Sequence, residues 1–251
     1  MFSRNALLVV AFAAAYGVAG GLPQVTVYGT IGQVVRQRDV TAKVELAEVL
    51  RTPHAFGLGS LSELRGEITI VDGTAWLSYP PDPPDPRSGP GAPAQVVASP
   101  DISERAGFLV AAHVDPDRWR EVKLSAPITS DNLESVLVKL TAETGIGGVD
   151  LPFRIEGRFA TLTLATVDGR KLPEGPSSAE ALKKANHVQT ETDVNATLVG
   201  FLAAKPDERF THPGKRIHVH AVVEARRMTG HAQAFKAPAG VRLWLPAGLK
   251  M

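Results

Sequence analysis

The chain has 251 residues, of which 44% are hydrophobic and 21% are charged, and its formal net charge is +1. This length and apolar content suffice for a sizeable core, in one large domain or two small ones. The near-neutral charge gives no electrostatic reason to expect nucleic acid or an anionic membrane as a partner. Because the sequence has no cysteine, disulfides, thiolate metal ligands and cysteine nucleophiles are excluded. Any metal must be held by nitrogen and oxygen.

Residues 1–21 have the composition of a secretory signal peptide. Arg4 is followed by an apolar run over residues 6–15, and small residues continue to Gly21. A basic start, an apolar core and a small-residue exit are typical of export, with cleavage after Ala19 or Gly21. The alternative is a transmembrane anchor, but the run is short and rich in alanine for a hydrocarbon core of about 30 Å. We therefore predict a secreted or periplasmic protein without stable membrane insertion after processing.

The first half of the remaining chain predicts a short strand, two short helical segments and a clear hairpin. The helical segments cover residues 30–37 and 42–50. The hairpin covers residues 66–79 and turns at Asp72-Gly73, a pair that accepts positive φ. Strand alternation places Glu67 on the face opposite its apolar neighbours. Taken alone, such a glutamate is usually only solvated.

The middle of the chain begins with a proline-rich loop. Residues 79–94 hold seven prolines, which exclude a helix or a paired strand. Strands are predicted over residues 106–113 and 119–124, followed by a helix that Ser130 caps and Gly145 ends. A second hairpin is predicted over residues 151–167, turning near Glu156-Gly157. In it Arg154 faces away from its apolar neighbours, which a rim arginine would also do.

The strand pattern in residues 216–224 predicts a metal site. His218 and His220 share one strand face, opposite a fully apolar face. If the chain reverses between Glu224 and Met228, antiparallel pairing sets His231 opposite His220. Three imidazoles would then converge and leave a fourth ligand position open, as in a catalytic zinc site. The alternative is three unrelated surface histidines.

Two other metal-site patterns fit less well. His218-x-His220-x-x-x-Glu224 imitates the first half of a cupin motif, but the histidine that should follow Pro238-Ala-Gly is absent. In an α-type carbonic anhydrase the third histidine lies much further along the chain than the eleven-residue step seen here. Serine-hydrolase and phosphate-binding signatures are also absent.

The sequence resembles acetolactate decarboxylase in five blocks that follow the family's order. They are residues 30–50, the Phe-Gly-Leu-Gly-Ser loop at 56–60, Gly-Glu-Ile-Thr-Ile-Val-Asp-Gly at 66–73, Phe-Arg-Ile-Glu-Gly at 153–157, and the strand at 196–201 that leads into His-x-His and Thr-Gly-His. The step from His220 to His231 is similar to that between the family's metal ligands. The blocks cover roughly two thirds of the chain after the exported segment.

The resemblance implies a zinc enzyme that converts 2-acetolactate to acetoin and carbon dioxide. It assigns the metal to His218, His220 and His231, and catalysis to Glu67 and Arg154, with Ser60 and Arg154 facing the substrate. This set suits the chemistry, because a metal held by neutral ligands stabilises negative charge on the substrate as a Lewis acid. An arginine fork docks a carboxylate, and a glutamate near the metal transfers a proton.

The chain departs from the family pattern in three places. The family brings a second glutamate from near its C-terminus, whereas no acidic residue follows Glu224 here. The segment at 172–178 lacks the family's proline and tyrosine pattern, and residues 80–130 show no match. Two further functions therefore stay open: an exported non-enzymatic module that binds a metal or ligand, and a cupin-like metalloenzyme.

The predicted fold is α+β, with mixed or antiparallel β-sheets in two lobes, a few short helices, and the metal site on a C-terminal β-hairpin. We divide the chain into a signal peptide (1–21), an N-terminal α+β lobe (22–167) that contains the proline-rich loop, and a C-terminal β lobe (168–251). The expected partner is a small-molecule substrate, the expected cofactor is Zn²⁺, and a homodimer is compatible with the sequence.

Overall fold

The computed structural model describes residues 21–82, 93–173, 175–176 and 178–247 of the chain. The predicted signal peptide, apart from residue 21, and most of the proline-rich loop lie outside these residues. Within them, no helix is long and apolar enough to cross a membrane.

Two seven-stranded sheets, antiparallel in every pairing described, make up most of the structure. The strands of the first sheet are β1 Thr26–Tyr28, β2 Val44–Glu45, β3 Ala55–Leu61, β4 Glu67–Val71, β5 Thr74–Tyr79, β6 Gln95–Ser99 and β7 Arg105–His113. Their order is β1-β7-β3-β4-β5-β6, and β2 also pairs with β7.

The second sheet carries the histidine hairpin. Its strands are β8 Trp119–Lys123, β9 Ile128–Thr129, β10 Leu151–Thr166, β11 His187–Leu202, β12 Ile217–Val223, β13 Met228–Ala237 and β14 Arg242–Pro246. Their order is β8-β14-β10-β11-β12-β13-β9, and β13 also pairs with β10. The described helices are short, namely α1 Leu46–Leu50, α2 Leu133–Glu143 and α3 Ala179–Ala185, with single turns at Gln33–Gln37, Ser62–Leu64, Pro116–Arg118, Gly169–Lys171 and Glu224–Arg226. The predicted fold class is confirmed.

The β4–β5 hairpin shows why the sequence folds as it does. Asp72 and Gly73 both adopt positive φ, at 47° and 78°, as a tight hairpin turn requires. Alternation then buries Ile68 and Ile70 in one apolar cluster of the first sheet, while Glu67 points to the other face. That face is the one that meets the second sheet.

The two sheets share an apolar core. Phe56 and Phe108 of the first sheet pack in one cluster with Val199 and Phe201 of the second. Two further clusters lie on the outer faces, one for each sheet. Polar side chains that emerge between the sheets are therefore shielded from water, and this is where the candidate site lies.

Three details differ from the sequence predictions. Residues 151–167 form one continuous strand of 16 residues, β10, and not a hairpin. Gly157 has φ +152°, and a Cβ there would lie 2.8 Å from Val241 Cγ1, so glycine allows a close approach without a turn. The predicted cap Ser130 precedes the helix, whose N-cap is Asn132.

The third difference concerns the lobes. The chain passes from the first sheet to the second between β7 and β8, well before the predicted boundary at residue 167. The long strand β10 lies within the predicted N-terminal lobe, yet it pairs with β11, β13 and β14. Antiparallel pairing over its whole length makes it the centre of the second sheet.

Candidate metal centre

The hairpin of β12 and β13 gathers three histidines on the face that meets the first sheet. His220 and His231 are direct partners across the hairpin, as the sequence predicts. The ring centroids of His218 lie 5.1 Å from His220 and 5.0 Å from His231, and those of His220 and His231 lie 5.6 Å apart. The three side chains thus form one cluster.

The protonation of His218 is fixed by its neighbour. Its Nδ1 lies 2.9 Å from the Phe210 carbonyl oxygen, which can only accept, so Nδ1 donates and Nε2 presents a lone pair. This Nε2 lies 3.1 Å from His231 Nδ1. Burial, followed by the neighbouring imidazoles, holds the pKa of both rings well below the usual value. Both histidines are therefore neutral at pH 7, the form that binds metals.

His220 lies deepest and has a nitrogen without a partner. Its side chain is fully buried, and its Nδ1 is 3.3 Å from Thr69 Oγ1. Its Nε2 has no hydrogen-bond partner among the described residues. Burial lowers the pKa of His220 to about 3, so Nε2 carries a lone pair when Nδ1 holds the proton. A buried polar atom of this kind costs about 1–3 kcal/mol unless something binds it.

A fourth histidine, His212, joins the cluster and was not foreseen from the sequence. Its ring centroid lies 5.1 Å from that of His218 and 5.3 Å from that of His231. One ring nitrogen of each of the three residues His212, His218 and His231 lies within 4.8 Å of the other two. The residue as a whole is exposed, while desolvation of its imidazole lowers its pKa. The available sequence signal was its position only six residues before His218.

Glu67 of β4 reaches the same cluster from the first sheet. Its Oε1 accepts a hydrogen bond of 3.1 Å from the Val167 backbone N–H. Its Oε2 lies 3.7 Å from His220 Nε2. Burial raises the pKa of Glu67 to about 8, although the Val167 hydrogen bond acts in the opposite direction. The carboxyl is consequently protonated at pH 7 when no cation is near.

A cavity of about 100 Å³ opens onto this group. Ser60 lies beside Glu67 across the β3–β4 pair, and both line the cavity together with His212, His218 and His231. The remaining walls are largely apolar. They consist of Ile31, Val34, Val35, Gly59, Leu64, Phe108, Val167, Leu182 and Asn186. The arrangement is a small chamber with polar groups concentrated at the histidine cluster.

Arg154 lies outside this cavity. Its backbone is in register with Val199, which in turn pairs with His220, so Arg154 lies two strands, or about 10 Å, from His220. Its guanidinium carbon is 4.9 Å from the Trp244 ring centroid and 5.4 Å from that of Trp119. Its Nε is 3.2 Å from a carboxylate oxygen of Glu156. The structure brings Ser60 and Glu67 to the histidines, but not the Arg154 guanidinium.

Glu224 does not approach the cluster either. The residue is exposed in the turn Glu224–Arg226, where β12 ends. It lines a separate surface groove with Trp76 and Arg242. Among the described residues that line the histidine cavity, Glu67 is the only acid. Glu224 would have to point inward to act as a cupin-type metal ligand or to replace the family's second glutamate. In the structure it points away from the histidines.

These residues fit a metal ion. Ring nitrogens of His212, His218 and His231 lie within 4.8 Å of one another, and the neighbouring His220 has a buried nitrogen with no hydrogen-bond partner among the described residues. Nitrogen ligands with a nearby carboxylate suit zinc and several other divalent transition metals. A cation would also favour ionisation of Glu67. The histidines can thus hold a metal ion.

Comparison with family profiles identifies one family. The profile of the alpha-acetolactate decarboxylase family matches residues 27–245. A search of curated protein sequences gives no match.

Solved structures show the same fold. The acetolactate decarboxylase from Bacillus subtilis subspecies spizizenii has a TM-score of 0.67 at 19% identity, covering 90% of this chain and 86% of that one. The alpha-acetolactate decarboxylase from Bacillus subtilis strain 168 has a TM-score of 0.64 at 18% identity, covering 90% and 87%. A Staphylococcus aureus protein, described as of unknown function and similar to alpha-acetolactate decarboxylase, has a TM-score of 0.67 at 13% identity, covering 88% and 84%. At these identities the structural likeness concerns the fold, while the profile match spans most of the sequence. The chain belongs to the alpha-acetolactate decarboxylase family.

Proposed function

We propose that the protein is a zinc-dependent decarboxylase that converts 2-acetolactate, or a related 2-hydroxy-3-keto acid, to acetoin and carbon dioxide. The observation that carries the proposal is the position of Glu67. Its carboxyl is 3.7 Å from His220 Nε2 and lines the same cavity as three other histidines. A purely structural metal site has no need of a buried ionisable group beside its ligands, whereas an acid–base reaction does.

In this proposal His218, His220 and His231 hold zinc. When bound, the ion supplies a Lewis acid for the negative charge that develops on the substrate oxygens as the carboxyl group leaves. Neutral ligands leave the ion its full double charge. The hydrogen bond from His218 Nδ1 to the Phe210 carbonyl leaves Nε2 of His218 for the metal, and Nδ1 of His220 contacts the Thr69 hydroxyl.

Glu67 and Ser60 act on the substrate from the first sheet. The Val167 N–H fixes one oxygen of Glu67, which leaves Oε2 to exchange a proton with the substrate hydroxyl or with the carbon that loses the carboxyl group. Ser60 Oγ can donate or accept a hydrogen bond beside it. The apolar walls exclude water, which would otherwise screen these charges.

A second candidate function is a metal-binding or ligand-binding module without catalysis. The observation in its favour is Arg154, whose guanidinium is held between Trp119 and Trp244 and away from the cavity. No lysine or arginine is among the described residues that line the cavity. A module needs no cation to dock a leaving carboxylate, whereas the enzyme gains from one.

Acetoin release from racemic 2-acetolactate by the zinc-loaded protein tests the proposal. We expect activity in the wild type and a loss of about two to four powers of ten in Glu67→Gln, which keeps the shape but cannot transfer a proton. Glu224→Gln is the matched control, because Glu224 is exposed and remote from the cluster, and it should retain full activity.

Two results would count against the proposal, and a further variant tests Arg154. A fully zinc-loaded wild type that releases no acetoin refutes the decarboxylase with this substrate. A Glu67→Gln enzyme with undiminished activity refutes the role of Glu67. In Arg154→Ala, we expect a higher KM and a lower kcat if the guanidinium reaches the substrate carboxylate during turnover. Unchanged kinetics in that variant would exclude Arg154 from the reaction.

We also propose that the protein is exported, which the composition of residues 1–21 supports. A homodimer stays an expectation from the sequence, and light scattering after size exclusion tests it.

A further inference from the structure

We propose that His212 is a fourth protein ligand of the metal, in addition to the three histidines of the hairpin. The inference rests on the metal site of the proposed function but not on its reaction. The His212 ring lies as close to His218 and His231, at 5.1 and 5.3 Å, as those two lie to His220, at 5.1 and 5.6 Å. A ring nitrogen of His212 lies within 4.8 Å of those of His218 and His231, a group that His220 does not join.

The loop that carries His212 is anchored just before this residue, at Glu208 and Arg209. The carbonyl groups of Glu208 and Arg209 accept hydrogen bonds of 3.2 and 3.1 Å from the backbone N–H groups of Gly32 and Ile31. The Arg209 side chain pairs with Asp150 at 2.6 Å. A loop held in this way keeps its last residues in place without help from His212 itself.

The same loop also orients one of the hairpin ligands. Phe210 is fully buried, and its ring packs edge-on against Phe201 at 6.2 Å. Its carbonyl oxygen accepts the Nδ1 proton of His218. Phe210 therefore fixes the tautomer of His218, and His212 follows Phe210 by two positions in the chain. The position of His212 is tied to that of His218 through the backbone.

Four imidazoles change what the site can do. Four nitrogen ligands complete a tetrahedral zinc site, so a substrate must bind as a fifth ligand or replace one histidine. Of the four, His212 alone is exposed, and it lies on a loop instead of a strand. It is therefore the one of the four that solvent reaches most.

Metal titration of the full-length, metal-free protein tests the inference. Zn²⁺ affinity is measured by competition with a chromophoric chelator, and the Co²⁺ form is examined by visible absorption, which reports coordination number. We expect His212→Ala and His212→Gln to bind Zn²⁺ at least about tenfold more weakly and to alter the Co²⁺ absorption bands. His113→Ala is the matched control, since His113 is exposed at the end of β7 and should change neither quantity.

Unfolding temperatures of the metal-free variants show whether the fold is intact. Unchanged Zn²⁺ affinity and unchanged Co²⁺ absorption in both His212 variants, with an intact fold, would overturn the inference. The outcome is separate from that of the proposed function. A protein that binds zinc through His212 but releases no acetoin refutes only the decarboxylase, whereas an active enzyme with unaltered metal binding in His212→Ala refutes only the fourth ligand.

Discussion

Binding of zinc should expel a proton from Glu67, and Glu67→Gln should abolish that release. In the metal-free protein, burial raises the pKa of Glu67 to about 8. The hairpin histidines contribute no proton at pH 7, because their pKa values lie below the usual range. A divalent cation bound beside the carboxyl favours its ionised form. The carboxyl therefore passes from mostly neutral to charged when the metal enters.

The expected size follows from that pKa. With a pKa of about 8, about 0.9 of the Glu67 carboxyls carry a proton at pH 7, and about 0.1 do so at pH 9. The wild type should thus release about 0.9 proton more per zinc than Glu67→Gln at pH 7. The difference should shrink to about 0.1 proton at pH 9. Protons lost from other groups cancel in the comparison.

Isothermal titration calorimetry measures this number directly. The observed binding enthalpy is plotted against the ionisation enthalpy of several buffers, and the slope gives the protons released. Glu224→Gln, an exposed acid outside the cavity, should give the wild-type slope. Equal slopes for wild type and Glu67→Gln at pH 7 would show that Glu67 loses no proton when the metal binds, and the prediction would be refuted.

Three further predictions concern stability and processing. The pKa of His220 is about 3 in the folded state and near 6.5 in the unfolded state, so folding is favoured most above pH 6.5. The free energy of unfolding should fall by about 2 kcal/mol by pH 5. Urea unfolding of the metal-free protein should show this loss, and a smaller one in His220→Gln. Gly59→Ala should destabilise the fold by about 3 kcal/mol, because a Cβ there would lie 2.0 Å from the Phe108 carbonyl oxygen. The control Gly32→Ala should cost little, because the atoms nearest to its Cβ would be 3.8 Å away. Equal unfolding temperatures for the two variants would contradict this prediction. N-terminal sequencing of exported protein should begin after Ala19 or Gly21, whereas an intact Met1 in the cytosolic fraction would contradict processing.

The histidine hairpin could be predicted because its information is local. Strand parity decides that His218 and His220 share a face, and a turn of known length decides that His231 pairs with His220. The turn at Asp72-Gly73 could be predicted for the same reason. The error at Glu156-Gly157 has the same origin, since a glycine that looks like a turn locally serves a contact with Val241, far along the chain.

His212 and the position of Arg154 depend on distant segments. His212 lies in a loop without periodicity, and its place is set by backbone hydrogen bonds to residues 31 and 32. The Arg154 guanidinium is surrounded by three aromatic rings, from Phe56, Trp119 and Trp244, which come from three different strands. No spacing rule within one segment reveals either arrangement, whereas the family resemblance could supply a role for Arg154 but not its conformation.

A metal ion on the histidines and the Arg154 guanidinium would act on the same group, the Glu67 carboxyl. Glu67 has a raised pKa because the described walls around it offer burial and one backbone N–H, but no cation. Either a divalent ion on the histidines or an arginine moved inward would reverse that effect, since both favour the carboxylate. The cation–π contacts that hold Arg154 outside are worth about 0.5–2 kcal/mol each. If a substrate carboxylate drew the guanidinium into the cavity, it would have to outweigh these contacts, and the binding of substrate would then favour the charged form of Glu67.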